Sequence, residues 1–149
     1  MGSSPVITGC TFIGNRGDDC GGIACYGESQ PVLDRTIIAG STSGGAVFCQ
    51  GSGSCTVTLL CCDIYGNVGG DWTGCIAAEY GTNGNFSADP LFCDELNGDF
   101  SLQTCSPCLP GNHPDGYDCG GVLGAFGSGC DCGTATEPTT WGSIKAMYR

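Results

Sequence analysis

Ser4-Pro5-Val6-Ile7-Thr8-Gly9-Cys10-Thr11-Phe12-Ile13-Gly14-Asn15 is answered by Gln30-Pro31-Val32-Leu33-Asp34-Arg35-Thr36-Ile37-Ile38-Ala39-Gly40-Ser41. A third copy reads Thr56-Val57-Thr58-Leu59-Leu60-Cys61-Cys62-Asp63-Ile64-Tyr65-Gly66-Asn67. Position 5 maps onto 31 and then onto 57, a period of 26 residues. Each copy is followed by paired glycines (Gly21-Gly22, Gly44-Gly45, Gly69-Gly70) and then by a cysteine, at Cys25, Cys49 and Cys75. Self-similarity at such a period means one supersecondary unit stacked upon itself. Short β-branched and aromatic runs broken by glycine and asparagine make that unit strand and turn. No window keeps apolar residues at helical spacing, and the leucine ladder of a leucine-rich repeat is absent. The expected fold is all-β: a right-handed parallel β-helix of about three coils with a less regular C-terminal cap.

In such a stack, equivalent positions lie one above another at the strand spacing of about 4.8 Å, which is within disulfide reach. Cys25, Cys49 and Cys75 therefore form a column, and Cys25–Cys49 is the expected bridge between neighbouring coils. Cys10 and Cys62 are matched two coils apart with Thr36 between them, so they are not expected to pair. Adjacent Cys61 and Cys62 point to opposite faces of a strand and should have different partners. Phe12, Ile38 and Ile64 read as an inward apolar ladder. Asn15 and Asn67, each after a glycine, read as structural turn residues.

Fourteen cysteines in 149 residues fall in the range of disulfide scaffolds. Cys10, Cys20, Cys25, Cys49, Cys55, Cys61, Cys62, Cys75, Cys93, Cys105, Cys108, Cys119, Cys130 and Cys132 are all read as structural, which places the natural protein outside the reducing cytoplasm. No signal peptide is expected in this stretch, since Met1 to Ser4 lead straight into a coil. The stretch is read as the C-terminal part of a longer secreted protein, with a small free-standing reading frame as the alternative. No apolar run reaches the roughly 20 residues of a membrane span. Four basic residues against 15 acidic ones give a net charge of −11, which repels phosphate backbones and argues against nucleic-acid binding.

The chain divides into repeated coils (1–75), a closing region (76–127), and a polar spacer with an aromatic-basic tail (128–149). The closing region carries Ala88-Asp89-Pro90-Leu91-Phe92, Gly98-Asp99-Phe100-Ser101-Leu102, Ser106-Pro107, Gly111 and Gly124-Ala125-Phe126, in that order. Their order resembles the closing segment of large secreted bacterial β-helix proteins of the polysaccharide-lyase-like superfamily. The Cys10-Thr11-Phe12 and paired-glycine rhythm of the coils is similar to the same group. That group often reads Asp-Ile-Gly-Ala near its end, where this chain has Val122-Leu123-Gly124-Ala125. The resemblance implies a β-helix and brings sugar-cleaving enzymes into view. Lyases of this kind use an acidic calcium cluster with a lysine or arginine base, and polygalacturonase-like relatives use clustered aspartates. The coils offer only Arg16 and Arg35 as bases, with Asp34, Asp63 and Asp71 as isolated acids. A shared fold does not supply the missing site.

Metal binding has one candidate loop, Asn112 to Cys119, where His113, Asp115, Asp118 and Cys119 fit calcium through oxygens or zinc through His113 and Cys119. His113, Asp115 and Asp118 are then also the catalytic candidates of a zinc-dependent hydrolase. Cys105, Cys108, Cys119, Cys130 and Cys132 are a second zinc set if reduced, though oxidation to disulfides is favoured. Arg16-Gly17-Asp18 matches an adhesion tripeptide, and Asn85-Phe86-Ser87 is a glycosylation sequon. Trp141, Ile144 and Tyr148 fall on one face of a short terminal helix, read as a strap over the open end of the solenoid or as a sorting tail. Taken together, the residues favour a disulfide-stapled structural or binding module of an extracellular protein, used for display, adhesion or carbohydrate contact. Its expected partners are carbohydrate or a cell-surface component, with homo-oligomerisation through the open coil end. The alternatives are a zinc hydrolase on the same scaffold and a fragment of a polysaccharide lyase or glycoside hydrolase.

Overall fold

In the computed structural model, residues 2–51 and 54–133 are described. The tail at 141–149 lies outside the described residues. Three coils follow one another, each turning through three faces. The first face is built by β1 (Val6–Thr8), β4 (Val32–Asp34) and β7 (Thr58–Leu60). The second is built by β2 (Thr11–Ile13), β5 (Ile37–Ala39) and β8 (Asp63–Tyr65). The third pairs β3 (Arg16–Cys25) with β6 (Ser43–Cys49), and in the third coil its place is taken by a 3-10 helix, Gly74–Glu79. Every pairing between coils is parallel, and on the first two faces the register is 26 residues, as in Val6↔Val32↔Thr58 and Phe12↔Ile38↔Ile64. The chain is a parallel β-helix.

Alternation along the short strands sends Ile7, Leu33 and Leu59 inward from the first face and Phe12, Ile38 and Ile64 inward from the second. Ile23 and Val47 join them from the third, and together these residues form the core of the stack. The corners explain the glycines. Gly14, Gly40 and Gly66 occupy one corner with φ between 62° and 70°, a region that costs other L-residues roughly 1–2 kcal/mol. At the other corner Gly9 shares the left-handed conformation with Arg35 and Cys61. The paired glycines answer a close approach of backbones: a Cβ at Gly22 would overlap the Ala46 carbonyl, and one at Gly69 would overlap the Gly44 backbone.

Polar columns hold the coils in register. Thr36 is fully buried, and its hydroxyl donates to the carbonyls of Asp34 (3.2 Å) and Ile7 (3.5 Å). One coil on, the Cys62 thiol donates to the equivalent carbonyls, Leu60 and Leu33 (both 3.5 Å). At the next corner Asn67 accepts from the Ser41 N–H (3.1 Å) and donates to the Ile38 carbonyl (3.0 Å). Asn85 repeats the arrangement where the fourth coil begins, accepting from the Cys62 N–H and donating to the Leu59 carbonyl. Asn67 is thus the structural turn residue expected.

Beyond the fourth corner the chain leaves the stack. β9 (Phe92–Asp94) runs antiparallel to β10 (Asp99–Gln103), and β11 (Ser128–Cys130) pairs in parallel with β10. Between β10 and β11 the chain turns back along the outside of the second face. Leu123 donates its N–H to the Cys108 carbonyl, Gly124 to Arg35 in the second coil, and Ala125 to the Thr11 hydroxyl in the first. The outward side chains Ile37 and Ala39 are covered by this strap, forming a second core with Phe86, Phe92, Leu102, Cys108 and Leu123. This is why β5 is buried along its whole length.

Candidate functional site

Among the expected site residues, His113 sits deepest. Its Nδ1 accepts the N–H groups of Asp115 (3.1 Å) and Tyr117 (3.4 Å), so the ring proton lies on Nε2, which donates to the Gly84 carbonyl at 2.9 Å. The Phe86 ring meets the imidazole edge-on, with centroids 4.7 Å apart. Both ring nitrogens are occupied by backbone, and the imidazole acts as a post tying its loop to the fourth coil. Asp115 and Asp118 are exposed, and Asp118 accepts the Gly120 N–H (2.8 Å). Cys119 is disulfide-bonded to Cys61. A shallow depression of about 260 Å³ is lined by Gly111, His113, Gly116, Tyr117 and Asp118. Of the four residues only His113 and Asp118 line it, and both nitrogens of His113 are already engaged.

Ten cysteines form five disulfides: Cys25–Cys55, Cys49–Cys75, Cys61–Cys119, Cys93–Cys130 and Cys105–Cys132. The expected Cys25–Cys49 bridge is corrected: these residues are register neighbours on β3 and β6, but Cys25 bonds Cys55 and Cys49 bonds Cys75. Cys55, 30 residues on from Cys25, lies 6.2 Å from it between Cα atoms, which the 26-residue register does not foretell. Of the second zinc set, Cys105, Cys119, Cys130 and Cys132 are all oxidised. Cys10, Cys20, Cys62 and Cys108 remain thiols, the first two half-buried and the last two buried. Cys61 and Cys62 do face apart, one bonded to the strap and the other donating within the stack.

Asp63 stands where Thr11 and Ile37 stand in the coils above it, and the strap closes over it. It is fully buried; Oδ1 accepts the Ala88 N–H at 3.0 Å and Oδ2 accepts the Cys108 thiol at 3.2 Å. Loss of hydration pushes its carboxyl up to about 7, against which the Ala88 and Cys108 hydrogen bonds pull only partly. Burial pushes the Cys62 thiol up to about 12. Burial, reinforced by the Asp63 charge, pushes the Cys108 thiol up as well. Neither buried thiol is a ready nucleophile, since the thiolate is the reactive form.

The acids and bases of a sugar-cleaving site are dispersed. Asp34 is in an ion pair with Arg35 (3.2 Å), Asp71 holds the backbone N–H groups of Gly66 and Asn67, and Arg16 is exposed on β3. The Arg16-Gly17-Asp18 tripeptide lies on that strand rather than at a loop tip. The side chain of Asn85 is buried and fully engaged, so the folded chain does not present the sequon. No helix among the described residues is long and apolar enough to cross a membrane.

What the sequence did not single out is an aromatic corner beside the first coil. Tyr26, 48% exposed, meets Phe48 edge-on with centroids 6.1 Å apart. Tyr26 also walls a cleft of about 400 Å³ lined by Pro5, Ile7, Ile23 and Pro31, with Ser3 and Ser29 at its polar margin. The signal lay in the third-face register, which sets Ala24 beside Phe48 and leaves the ring room to meet Tyr26. Comparison with protein-family models, with curated proteins and with solved structures finds no match to this chain.

Proposed function

We propose that this disulfide-stapled β-helix is a display and binding module of an extracellular protein and that it contacts neutral carbohydrate at the Tyr26 cleft. The observation that carries this reading is the cleft itself: an exposed tyrosine ring, apolar walls and two serines, without a charged side chain among its lining residues. Such a surface suits a sugar ring, whose C–H face stacks on an aromatic while its hydroxyls meet polar margins. The net charge of −11 disfavours uronic-acid polymers and favours a neutral glycan. The polar side chains of the interior support a scaffold rather than a catalyst: Thr36, Ser41, Asn67, Asn85, Ser106 and His113 all bond backbone groups.

Affinity electrophoresis through gels containing neutral polysaccharides tests the proposal. Retardation by at least one of them, lost in Tyr26→Ala and weakened in Phe48→Ala, is the expected result. Migration unaffected by every neutral polysaccharide, or retardation unchanged in Tyr26→Ala, would count against it.

A further inference from the structure

The two disulfides at the end of the third face are close neighbours. The Sγ atoms of Cys25, Cys49 and Cys55 all lie within 4.8 Å of one another, the one such convergence of three metal-ligating side chains among the described residues. A fourth sulfur, that of Cys75, is bonded to Cys49. The four arrive from different levels of the stack. Cys25 and Cys49 end adjacent parallel strands, Cys55 precedes β7, and Cys75 stands in the 3-10 helix of the third coil. Cα separations are 6.2 Å for Cys25–Cys55 and 6.1 Å for Cys49–Cys75. A tetrahedral zinc tetrathiolate has Zn–S bonds of about 2.3 Å, which sets its sulfurs about 3.8 Å apart. The convergence of three sulfurs within 4.8 Å holds Cys25, Cys49 and Cys55 close to that spacing.

We propose that Cys25, Cys49, Cys55 and Cys75 in their reduced form bind one zinc ion as a tetrathiolate, and that oxidation exchanges this ion for the two disulfides. The exchange balances with a low-molecular-weight disulfide as oxidant. The tetrathiolate, of charge −2, reacts with two equivalents of that disulfide. Two S–S bonds form in the protein, two break in the oxidant, and Zn²⁺ leaves with four small-molecule thiolates. Four electrons pass from the cysteine sulfurs to the oxidant, and no proton is required. Zinc would thus hold the three coils together before the staples form. Three of the ligating positions lie beside or within the core of the stack, where Cys25 and Cys55 are buried and Cys49 packs against them, so solvent has little access to compete for the metal.

The test uses the full chain produced in a reducing cytoplasm and kept reduced with a trialkylphosphine. Zinc content is measured, and N-ethylmaleimide labelling of each cysteine is mapped by peptide mass spectrometry with and without one equivalent of Zn²⁺. The expected result is one zinc per chain, with labelling of Cys25, Cys49, Cys55 and Cys75 slowed by an order of magnitude or more relative to metal-free protein. Adding a low-molecular-weight disulfide should release that zinc as Cys25–Cys55 and Cys49–Cys75 appear. The double variant Cys49→Ser/Cys75→Ser should lose the zinc, and Cys93→Ser/Cys130→Ser should retain it. Absence of stoichiometric zinc in the reduced wild-type chain, or zinc-dependent protection at other cysteines, overturns the proposal without requiring any variant to fold.

Discussion

Replacing Asp63 by asparagine should change how stability depends on pH while leaving the fold in place. The carboxyl is sealed between β8 and the strap, and burial raises it from 3.8 to about 7. Between those two values the unfolded chain has released this proton and the folded chain still holds it. Folding therefore takes up a proton, and stability falls as pH rises through the window. The favourable contribution is fully present below 3.8 and is lost as pH rises through about 7. At about 1.36 kcal/mol per pK unit, the shift amounts to about 4 kcal/mol across the window. Asparagine keeps an acceptor for the Ala88 N–H and turns its amide toward the Cys108 sulfur, but carries no proton to release. Urea unfolding with intact disulfides, followed by tryptophan fluorescence at several pH values, should show wild-type stability declining relative to Asp63→Asn, which becomes the more stable protein on the alkaline side. Parallel curves for the two proteins across the window would falsify the claim that the strap seals this carboxyl from water.

Opening the Cys61–Cys119 disulfide by the double change to alanine frees a strap anchored across 58 residues, and loop-closure entropy sets the loss at about 4 kcal/mol, readable as a lower denaturation midpoint. Asn67→Ala leaves the buried Ser41 N–H and Ile38 carbonyl without their partners and should cost about 1–3 kcal/mol in the same assay. Cys62→Ser keeps the donor of the Thr36 column and should stay within about 1 kcal/mol of wild type, whereas Cys62→Leu overfills the site and should cost about 1–3 kcal/mol. Thiol labelling of the oxidised native chain should modify half-buried Cys10 and Cys20, and reach buried Cys62 and Cys108 only in denaturant; labelling of all four at one rate would contradict the packing of the two cores.

The stack was legible because its causes are local and repeated. Phe12, Ile38 and Ile64 share a residue class at a fixed spacing, and the corner glycines at 14, 40 and 66 mark where backbone sterics forbid a side chain. Asn67 was readable as a turn residue for the same reason. Events decided by the return of distant chain were not legible. Ile37 and Ala39 look no different from solvent-facing strand residues until the strap at 104–127 covers them, and Asp63 looks like a surface acid until Cys108 reaches it. Cys25 pairs with Cys55 across 30 residues, a separation that the 26-residue period does not describe. His113 drew attention as the single histidine in an acidic loop. Its structural role follows from two backbone N–H groups that sequence cannot place.

Vertical superposition of the coils underlies every site described, and backbone nuclear Overhauser contacts across the second face measure it directly. Contacts linking Phe12 to Ile38 and Ile38 to Ile64 in parallel register are predicted from the pairing of β2, β5 and β8. Contacts displaced by one residue would turn the core ladder outward, and that result, or the absence of contacts between these strands, would contradict the solenoid.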